Sequence, residues 1–189
     1  MNAQQPQLHM KRRLDVLPAL AVPDGYTIRH FTPDDAEGWA ALLDRNTELG
    51  AWNTERALPY FATDSDMPLE GAFFAMHGST PVATAQLHRK PDRPSLPERG
   101  WVAVDPQHQG HGLAAVVSVA VMQYAASAGY QEVFLLTDDH RLAAIWTYLK
   151  LGFAPWHTDA SHAPRWDAVR AALDRHRTSA AVRRDGDGK

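Results

Sequence analysis

Hydrophobic residues recur along this chain with two periods, one typical of strands and one typical of helices. Residues 26–31 alternate between polar and apolar side chains and predict a strand, and residues 133–136 form a continuous apolar run, as in a strand covered on both faces. His77-Gly78-Ser79-Thr80 has the composition of a hairpin turn. The remaining predicted strands are residues 72–76, 82–87, 101–104 and 153–156.

Helix signals separate these strands. Thr32-Pro33-Asp34-Asp35 combines a capping residue, a proline suited to the first turn and acids that favour the positive end of a helix dipole. Residues 110–128 carry an apolar stripe and end at Gly129, a typical C-terminal signal. Further helices are predicted at residues 55–62, 141–151 and 163–173, whereas residues 90–99 contain three prolines and predict a loop.

This order of elements predicts an α/β or α+β domain, with a mixed sheet and helices on its faces. Residues 101–104 should lie parallel to residues 133–136, because a helix connects them. The 189 residues suit one domain. We expect an N-terminal arm at residues 1–24, a single domain at residues 25–174 and a flexible basic tail at residues 175–189.

Composition excludes several classes of protein. The chain has no cysteine, which rules out disulfides, cysteine-based zinc sites and a cysteinyl acyl-enzyme. The net charge is −3, and because the last 15 residues carry +3, the rest carries −6, which argues against nucleic-acid binding. The apolar run at residues 113–122 is too short for a membrane span, and no secretory signal is visible. We therefore expect a cytoplasmic protein without a membrane partner.

Two glycines, Gly110 and Gly112, stand where a predicted strand meets a predicted helix. Unpaired amides at a helix start bind phosphate well, and glycines let a ligand approach the backbone. The chain lacks the lysine of a Walker loop, and Ala115 occupies the place of the third glycine of a dinucleotide fingerprint. By themselves the glycines are equally consistent with a tight turn that packs the helix against the strand.

A second segment extends the pattern. Gln107-His108-Gln109-Gly110-His111-Gly112 is followed about thirty residues later by a helix-like run that ends in Gly152-Phe153, with Tyr148 four residues before the glycine. Together these segments resemble the acyl-CoA motif and the following helix of the GNAT superfamily of N-acyltransferases. The resemblance implies a mixed, mostly antiparallel central sheet with helices on both faces. It implies an N-acetyltransferase that moves an acetyl or other short acyl group from acyl-CoA directly to a small primary amine, without a metal.

The resemblance also implies roles for individual residues. Tyr148 should protonate the departing CoA thiolate, although spacing alone also suits a core aromatic residue. Backbone groups of a first stretch should pair with the pantetheine arm, and these residues are Val102, Ala103 and Val104. The backbone amides of a second stretch should hold the pyrophosphate, and these residues are Gln109, Gly110, His111, Gly112, Leu113 and Ala114.

The general base is less well defined. Glu98 is the candidate that the resemblance favours, since it lies close before the acyl-CoA motif, but it is also consistent with a solvated loop residue. His88 and Asp139 are alternatives, and Asp139, with Asp138, also suits a helix cap. Many relatives carry asparagine at the position of Arg141, which puts the contacts made by that residue in doubt.

Other polar and aromatic clusters have two interpretations each. The histidines at 108 and 111, and the group His157, Asp159 and His162, have metal-ligand chemistry, but no second motif supports a metal site. Trp52 and Asn53 suit either the core or the acceptor site. An acyl-CoA-binding sensor with little catalysis is the alternative function. The acceptor amine, the acyl chain length and the presence of a homodimer stay open.

Overall fold

The computed structural model describes residues 5–46, 49–62 and 65–186, with side chains described up to residue 175. The chain forms two compact units, residues 12–135 and residues 1–11 with 136–189. Two strands, β1 (Leu8–Arg13) and β6 (Glu132–Thr137), cross the boundaries between these segments. Each unit is described separately below.

The sheet of the larger unit has the order β2-β3-β4-β5-β6. Its strands are antiparallel except for the last pair, in which Glu98 of β5 lies opposite Phe134 of β6 in parallel. The predicted hairpin is present between β3 and β4, and Gly78 in its turn has a φ of 60°. The bounds of the four strands other than β6 are β2 Thr27–His30, β3 Ala72–His77, β4 Thr80–His88 and β5 Glu98–Val104.

A bulge interrupts β5 in its middle. Gln86 lies opposite Gly100 and Thr84 lies opposite Ala103, so two residues of β5, Trp101 and Val102, face a single residue of β4. Trp101 has a φ of 44°, which is uncommon for a residue with a side chain and is found most often at functional sites. The bulge changes the direction in which the side chains of β5 on either side of it point.

A cluster of aromatic and apolar side chains covers one face of this sheet. Helix α1 (Ala36–Asp44) contributes Trp39, Ala40, Leu42 and Leu43 to it, and short helix α2 (Thr54–Ala57) contributes Ala57. The capping box between Thr32 and Asp35 fixes the helical turn that leads into α1, as the sequence predicted. Ala72, Phe74 and Met76 point into this cluster, because alternate residues of a strand share a face.

Helix α3 (Leu113–Ser127) is apolar nearly all round, and most of its residues are buried. It packs on β3, β4 and β5, and Ser118 of α3 accepts a hydrogen bond of 3.4 Å from buried Arg99. Gly71, which precedes β3, allows this close packing, because a Cβ there would lie 2.6 Å from the ring of Tyr124. The sheet thereby holds the start of α3 at the end of β5.

The smaller unit contains an antiparallel pair and two helices. Strand β1 pairs with β7 (Ala154–Trp156), with Met10 opposite Pro155. Helices α4 (Leu142–Lys150) and α5 (His162–Gly186) contact each other. In α5, Trp166 and Val169 are buried.

The predicted fold class is confirmed: the seven strands among the described residues are mixed and mostly antiparallel, with helices packed on them. Several predicted boundaries differ, among them three that concern the sheet and the last helix. Residues 8–13 of the expected arm form β1, with Leu8 and Met10 fully buried, β5 begins at Glu98 instead of residue 101, and the last helix continues to Gly186. In the part of the chain that the structure describes, no helix is both long and apolar enough to span a membrane.

Candidate active site

The turn between β5 and α3 presents backbone amides to solvent. Gly110 and Gly112 have φ angles of 84° and 74°, a region that other residues rarely adopt, and a Cβ on either would have open space around it. Gly112 is the N-cap of α3, and no acidic residue stands in the first helical turn. The first amides of a helix have no acceptor within the helix, so this turn suits an anion.

Neighbouring side chains hold this turn in place. Asp105 accepts a hydrogen bond from the amide of Gln107 (3.0 Å) and forms an ion pair with Arg45 (2.9 Å). The hydroxyl of Tyr26 lies 3.0 Å from Nδ1 of His108. His111 Nδ1 lies 3.1 Å from the carbonyl oxygen of Gln109, and because a carbonyl only accepts, this nitrogen carries the proton. The imidazole of His111 therefore folds back on the turn.

Strand β5 has a partner on one side only beyond its first residue. Val104 and Ala103 pair with Ala83 and Thr84 of β4. The ladder to β6 consists of Glu98 opposite Phe134, supported by a hydrogen bond of 3.1 Å from the Phe134 amide to the Pro97 carbonyl. Within the described residues, the edge of β5 at 102–104 is thus open to an extended ligand.

A cavity of ≈ 550 Å³ opens beside the bulge of β5. Its lining combines an aromatic wall with charged groups from β4, β5 and the segment between α2 and β3. The lining residues are Pro59, Tyr60, Ser65, Asp66, His88, Lys90, Glu98 and Trp101. With His88 neutral, one lysine and two carboxylates leave this lining with one net negative charge.

Glu98 lies in this cavity with its two oxygens in different surroundings. Oε2 forms an ion pair with Lys90 Nζ at 2.6 Å, and the Glu98 side chain is 15% exposed. Oε1 lies 3.6 Å from the point where a Cβ on Gly100 would stand. The alternative that Glu98 is a solvated loop residue is therefore wrong, because β5 begins at Glu98 and its side chain is largely buried.

His88, one of the alternative bases, is the last residue of β4 and lies opposite Glu98. Burial, together with the nearby charge of Lys90, lowers the pKa of His88 to about 4. The imidazole is therefore neutral near pH 7. Its ring is 6.0 Å from that of Tyr60 in an edge-on contact.

Asp139, the other alternative base, belongs to the smaller unit. It receives two hydrogen bonds from Arg165, one of them 2.9 Å long, and this contact lowers the pKa of the Asp139 carboxyl. Asp138 forms an ion pair with Arg141 at 3.1 Å. No side-chain hydrogen bond caps α4, so the helix-cap interpretation of these two aspartates is wrong.

Tyr148 also belongs to the smaller unit. It lies in the second half of α4, is 8% exposed, and its ring meets that of Phe153 edge-on at 6.2 Å. Phe153 follows Gly152, whose φ of 82° ends the helix. The glycine and the aromatic residue after it therefore fix the side of α4 on which Tyr148 packs.

Two acceptor-site candidates prove to be structural. Trp52 is 5% exposed inside the aromatic cluster, where its Nε1 donates to the Leu49 carbonyl (3.0 Å). Asn53 caps α2 by accepting from the Arg56 amide (2.9 Å). In the part of the chain that is described, no group of three or more metal-ligating side chains is assembled.

Sequence reasoning missed all the lining residues of the cavity except His88 and Glu98, and three of those it missed carry most of the chemistry. Tyr60, Lys90 and Trp101 line it together with Glu98 and His88. Lys90 is far along the chain from Tyr60, and Trp101 turns into this face only because of the bulge. A glycine followed by a tryptophan inside a strand pattern was the one local signal of that bulge.

The comparisons with known proteins identify the family of this chain. The sequence profile of the Acetyltransferase (GNAT) family matches residues 36–153. That match covers more than half of the chain. The chain belongs to the GNAT acetyltransferase family.

Among curated proteins, the chain is similar to mycothiol acetyltransferases. It is 33% identical to the one from Nocardia farcinica over 156 residues, which are 78% of this chain and 51% of that protein. It is 31% identical to the one from Rhodococcus erythropolis over 169 residues, 82% of this chain and 56% of that protein. The chain thus spans about half the length of the curated relatives it matches.

Among solved structures, the fold is similar to a GCN5-related N-acetyltransferase from Sphaerobacter thermophilus. The TM-score is 0.68 and the identity is 23%, over 81% of this chain and 50% of that one. It is also similar to a diaminobutyrate acetyltransferase from Paenibacillus lautus, solved with its substrate and coenzyme A. There the TM-score is 0.57 and the identity 18%, over 66% of this chain and 73% of the other. At these identities the likeness extends to the fold alone.

Proposed function

We propose that this protein transfers an acetyl group from acetyl-CoA directly to the nitrogen of a small primary amine. The observation that carries the proposal is the combination, in one unit, of three features. They are the amide-lined turn at residues 109–114, the open edge of β5 at residues 102–104 and the cavity that contains Glu98. A diphosphate, an extended pantetheine arm and an amine match these features in that order.

The reaction needs no covalent enzyme intermediate. The amine nitrogen attacks the thioester carbonyl carbon, a C–N bond forms, and the C–S bond then breaks. Glu98 takes the proton that the amine loses, with Oε1 as the accepting atom because Oε2 is engaged by Lys90. Tyr148 gives a proton to the CoA thiolate, the role implied by its position before Gly152-Phe153 in the family pattern. Acetyl-CoA is consumed as a substrate.

The acceptor is a small molecule that is cationic before it reacts. The net negative lining of the cavity attracts an ammonium group. Because curated relatives are named mycothiol acetyltransferases, a mycothiol-related amine is the first acceptor to test. Amino acids, polyamines, aminoglycosides and peptide N-termini complete the panel.

The purified chain tests this proposal in two assays. Isothermal titration with CoA and acetyl-CoA measures donor binding, and mass spectrometry of both products measures transfer across the panel. We expect donor binding in the micromolar range, which is ordinary for enzyme substrates, and transfer to at least one amine. The absence of donor binding at millimolar concentration would refute the proposal.

The ion pair between Glu98 and Lys90 favours a second candidate, an acyl-CoA-binding module with little catalysis. The lysine occupies one of the two carboxylate oxygens that could take a proton from an amine. Tight donor binding without transfer to any amine of the panel would support this second function.

A further inference from the structure

Among the residues that the structure describes, one buried nitrogen in the cavity lining has no hydrogen-bond partner. Nε2 of His88 is buried and makes no hydrogen bond, although the side chain lines the cavity. Burying an unpaired polar atom is costly, so such an atom beside a cavity indicates a ligand that pairs with it.

The ring of His88 is held in one orientation. The last residue pair of the β4–β5 ladder sets its backbone opposite Glu98, and Tyr60 packs edge-on against the ring. Gly100 lies against the other edge, because a Cβ there would be 3.0 Å from Cδ2 and 3.4 Å from Nε2 of His88. The same point is 3.6 Å from Oε1 of Glu98. Nε2 and Oε1 therefore both lie close to Gly100, and both side chains line the same cavity.

The charge state of His88 suits an amine acceptor. Because burial keeps the imidazole neutral near pH 7, it adds hydrogen-bonding capacity without a positive charge that would repel an ammonium group. Lys90 already supplies one cation to the lining, and Glu98 and Asp66 supply the two carboxylates. A second cation would remove the net negative charge that attracts the acceptor.

On the basis of the proposed function, we propose that His88 determines the class of acceptor. Nε2 hydrogen-bonds a hydroxyl or amide group next to the reacting amine, while Oε1 of Glu98 faces the amine itself. The preferred acceptors are then amines that carry a neighbouring polar group. A plain alkylamine leaves the buried nitrogen unpaired and reacts less well, as in other sites built to hydrogen-bond a substrate.

Two amines of matched size test the preference directly. Ethanolamine carries a hydroxyl where propylamine carries a methyl group. We expect the wild-type protein to acetylate ethanolamine with a kcat/KM roughly ten- to a hundredfold higher, the range for one buried hydrogen bond. Equal values for the two amines overturn the inference. If neither amine reacts, the variants below decide it on the panel amine that the wild type uses best.

Three variants separate ligand binding from packing. His88→Phe removes the nitrogen and should raise the acceptor KM roughly ten- to a hundredfold and abolish the preference for ethanolamine. His88→Gln restores a hydrogen-bonding group and should recover part of the preference for ethanolamine. Gly100→Ala leaves the imidazole intact but crowds it, and should also raise the acceptor KM. The CoA Kd should stay within about twofold in all three, since none of them touches the amide-lined turn.

The thermal midpoint provides the control for folding. If His88 only fills space, His88→Phe leaves the acceptor KM unchanged, and that result overturns the inference even when the midpoint rises. A higher KM for His88→Phe at an unchanged or higher midpoint supports it. If the wild type acetylates no amine at all, the proposed function fails, which is distinct from failure of the role given to His88.

Discussion

At the scale of single residues, the base and the acid of the proposed reaction are separable by substitution. Glu98→Gln keeps the shape of the side chain but removes the carboxylate. We expect kcat/KM to fall roughly 10²–10⁴-fold, the usual contribution of a general base, with the CoA Kd unchanged. Steady-state kinetics with the best amine of the panel measure this effect.

The control for Glu98 is its ion-pair partner. Lys90→Gln breaks the same 2.6 Å contact but leaves the carboxylate in place. Because both carboxylate oxygens can then face the amine, we expect Lys90→Gln to keep most of the activity. If Lys90→Gln lowers kcat/KM as much as Glu98→Gln does, the activity depends on the ion pair, and Glu98 is not the general base.

Tyr148 is tested by removing one oxygen atom. Tyr148→Phe keeps the buried ring against Phe153, so the fold should be unaffected. We expect kcat to fall roughly 10–10³-fold, because the thiolate must then leave without a positioned proton donor. Tyr130→Phe, which removes a hydroxyl just beyond α3, is the matched control. An unchanged kcat for Tyr148→Phe would exclude the acid role.

At the scale of elements, the two ends of α3 provide a matched pair of glycines. Gly112 at the N-cap and Gly129 just after the C-cap both have positive φ, 74° and 90°, and neither would meet a neighbour with an added Cβ. Alanine at either position costs about 1–2 kcal/mol of folding free energy. Only Gly112→Ala should also weaken CoA binding, by roughly tenfold or more, because the proposed diphosphate site lies at its amide-lined end of α3. If both variants bind CoA with equal affinity, the diphosphate does not bind at the N-terminal end of α3.

The sequence was informative where local chemistry alone determines the structure. Gly110 and Gly112 could be predicted to form a turn because glycine adopts a positive φ more readily than other residues, and the helix start at Thr32 is equally local. Leu8 and Met10 were missed because Lys11, Arg12 and Arg13 beside them hide the alternation of a buried strand. The burial of such a strand depends on partners that are distant in sequence.

The cavity was beyond sequence reasoning for the same reason. Glu98 was singled out as a candidate base, and the three prolines before it suggested a loop instead of the start of β5. Tyr60, Lys90 and Trp101 come from separate segments, and a bulge decides on which face Trp101 lies. Long-range packing of this kind leaves no periodic signal in the chain.

At the scale of the whole molecule, the buried imidazole of His88 makes stability depend on pH. Its pKa is about 4 in the folded protein and 6.5 when exposed, so the unfolded chain binds more protons between these values. Stability is therefore fully present above pH 6.5 and is lost as the pH falls towards 4. From pH 7 to pH 5 this group alone should lower the free energy of unfolding by about 2 kcal/mol.

Denaturant unfolding at pH 7 and pH 5 measures this loss, and two variants isolate it from the titration of carboxylates. His88→Phe removes the buried imidazole, so the difference in unfolding free energy between the two pH values should shrink by about 2 kcal/mol. His30→Gln removes an exposed imidazole and should leave the difference unchanged. The groups that face His88 (Lys90, Glu98 and Asp66) are retained in both variants. If His88→Phe and the wild type lose the same stability on acidification, His88 does not stay neutral in the folded protein, and its place in the acceptor cavity must be revised.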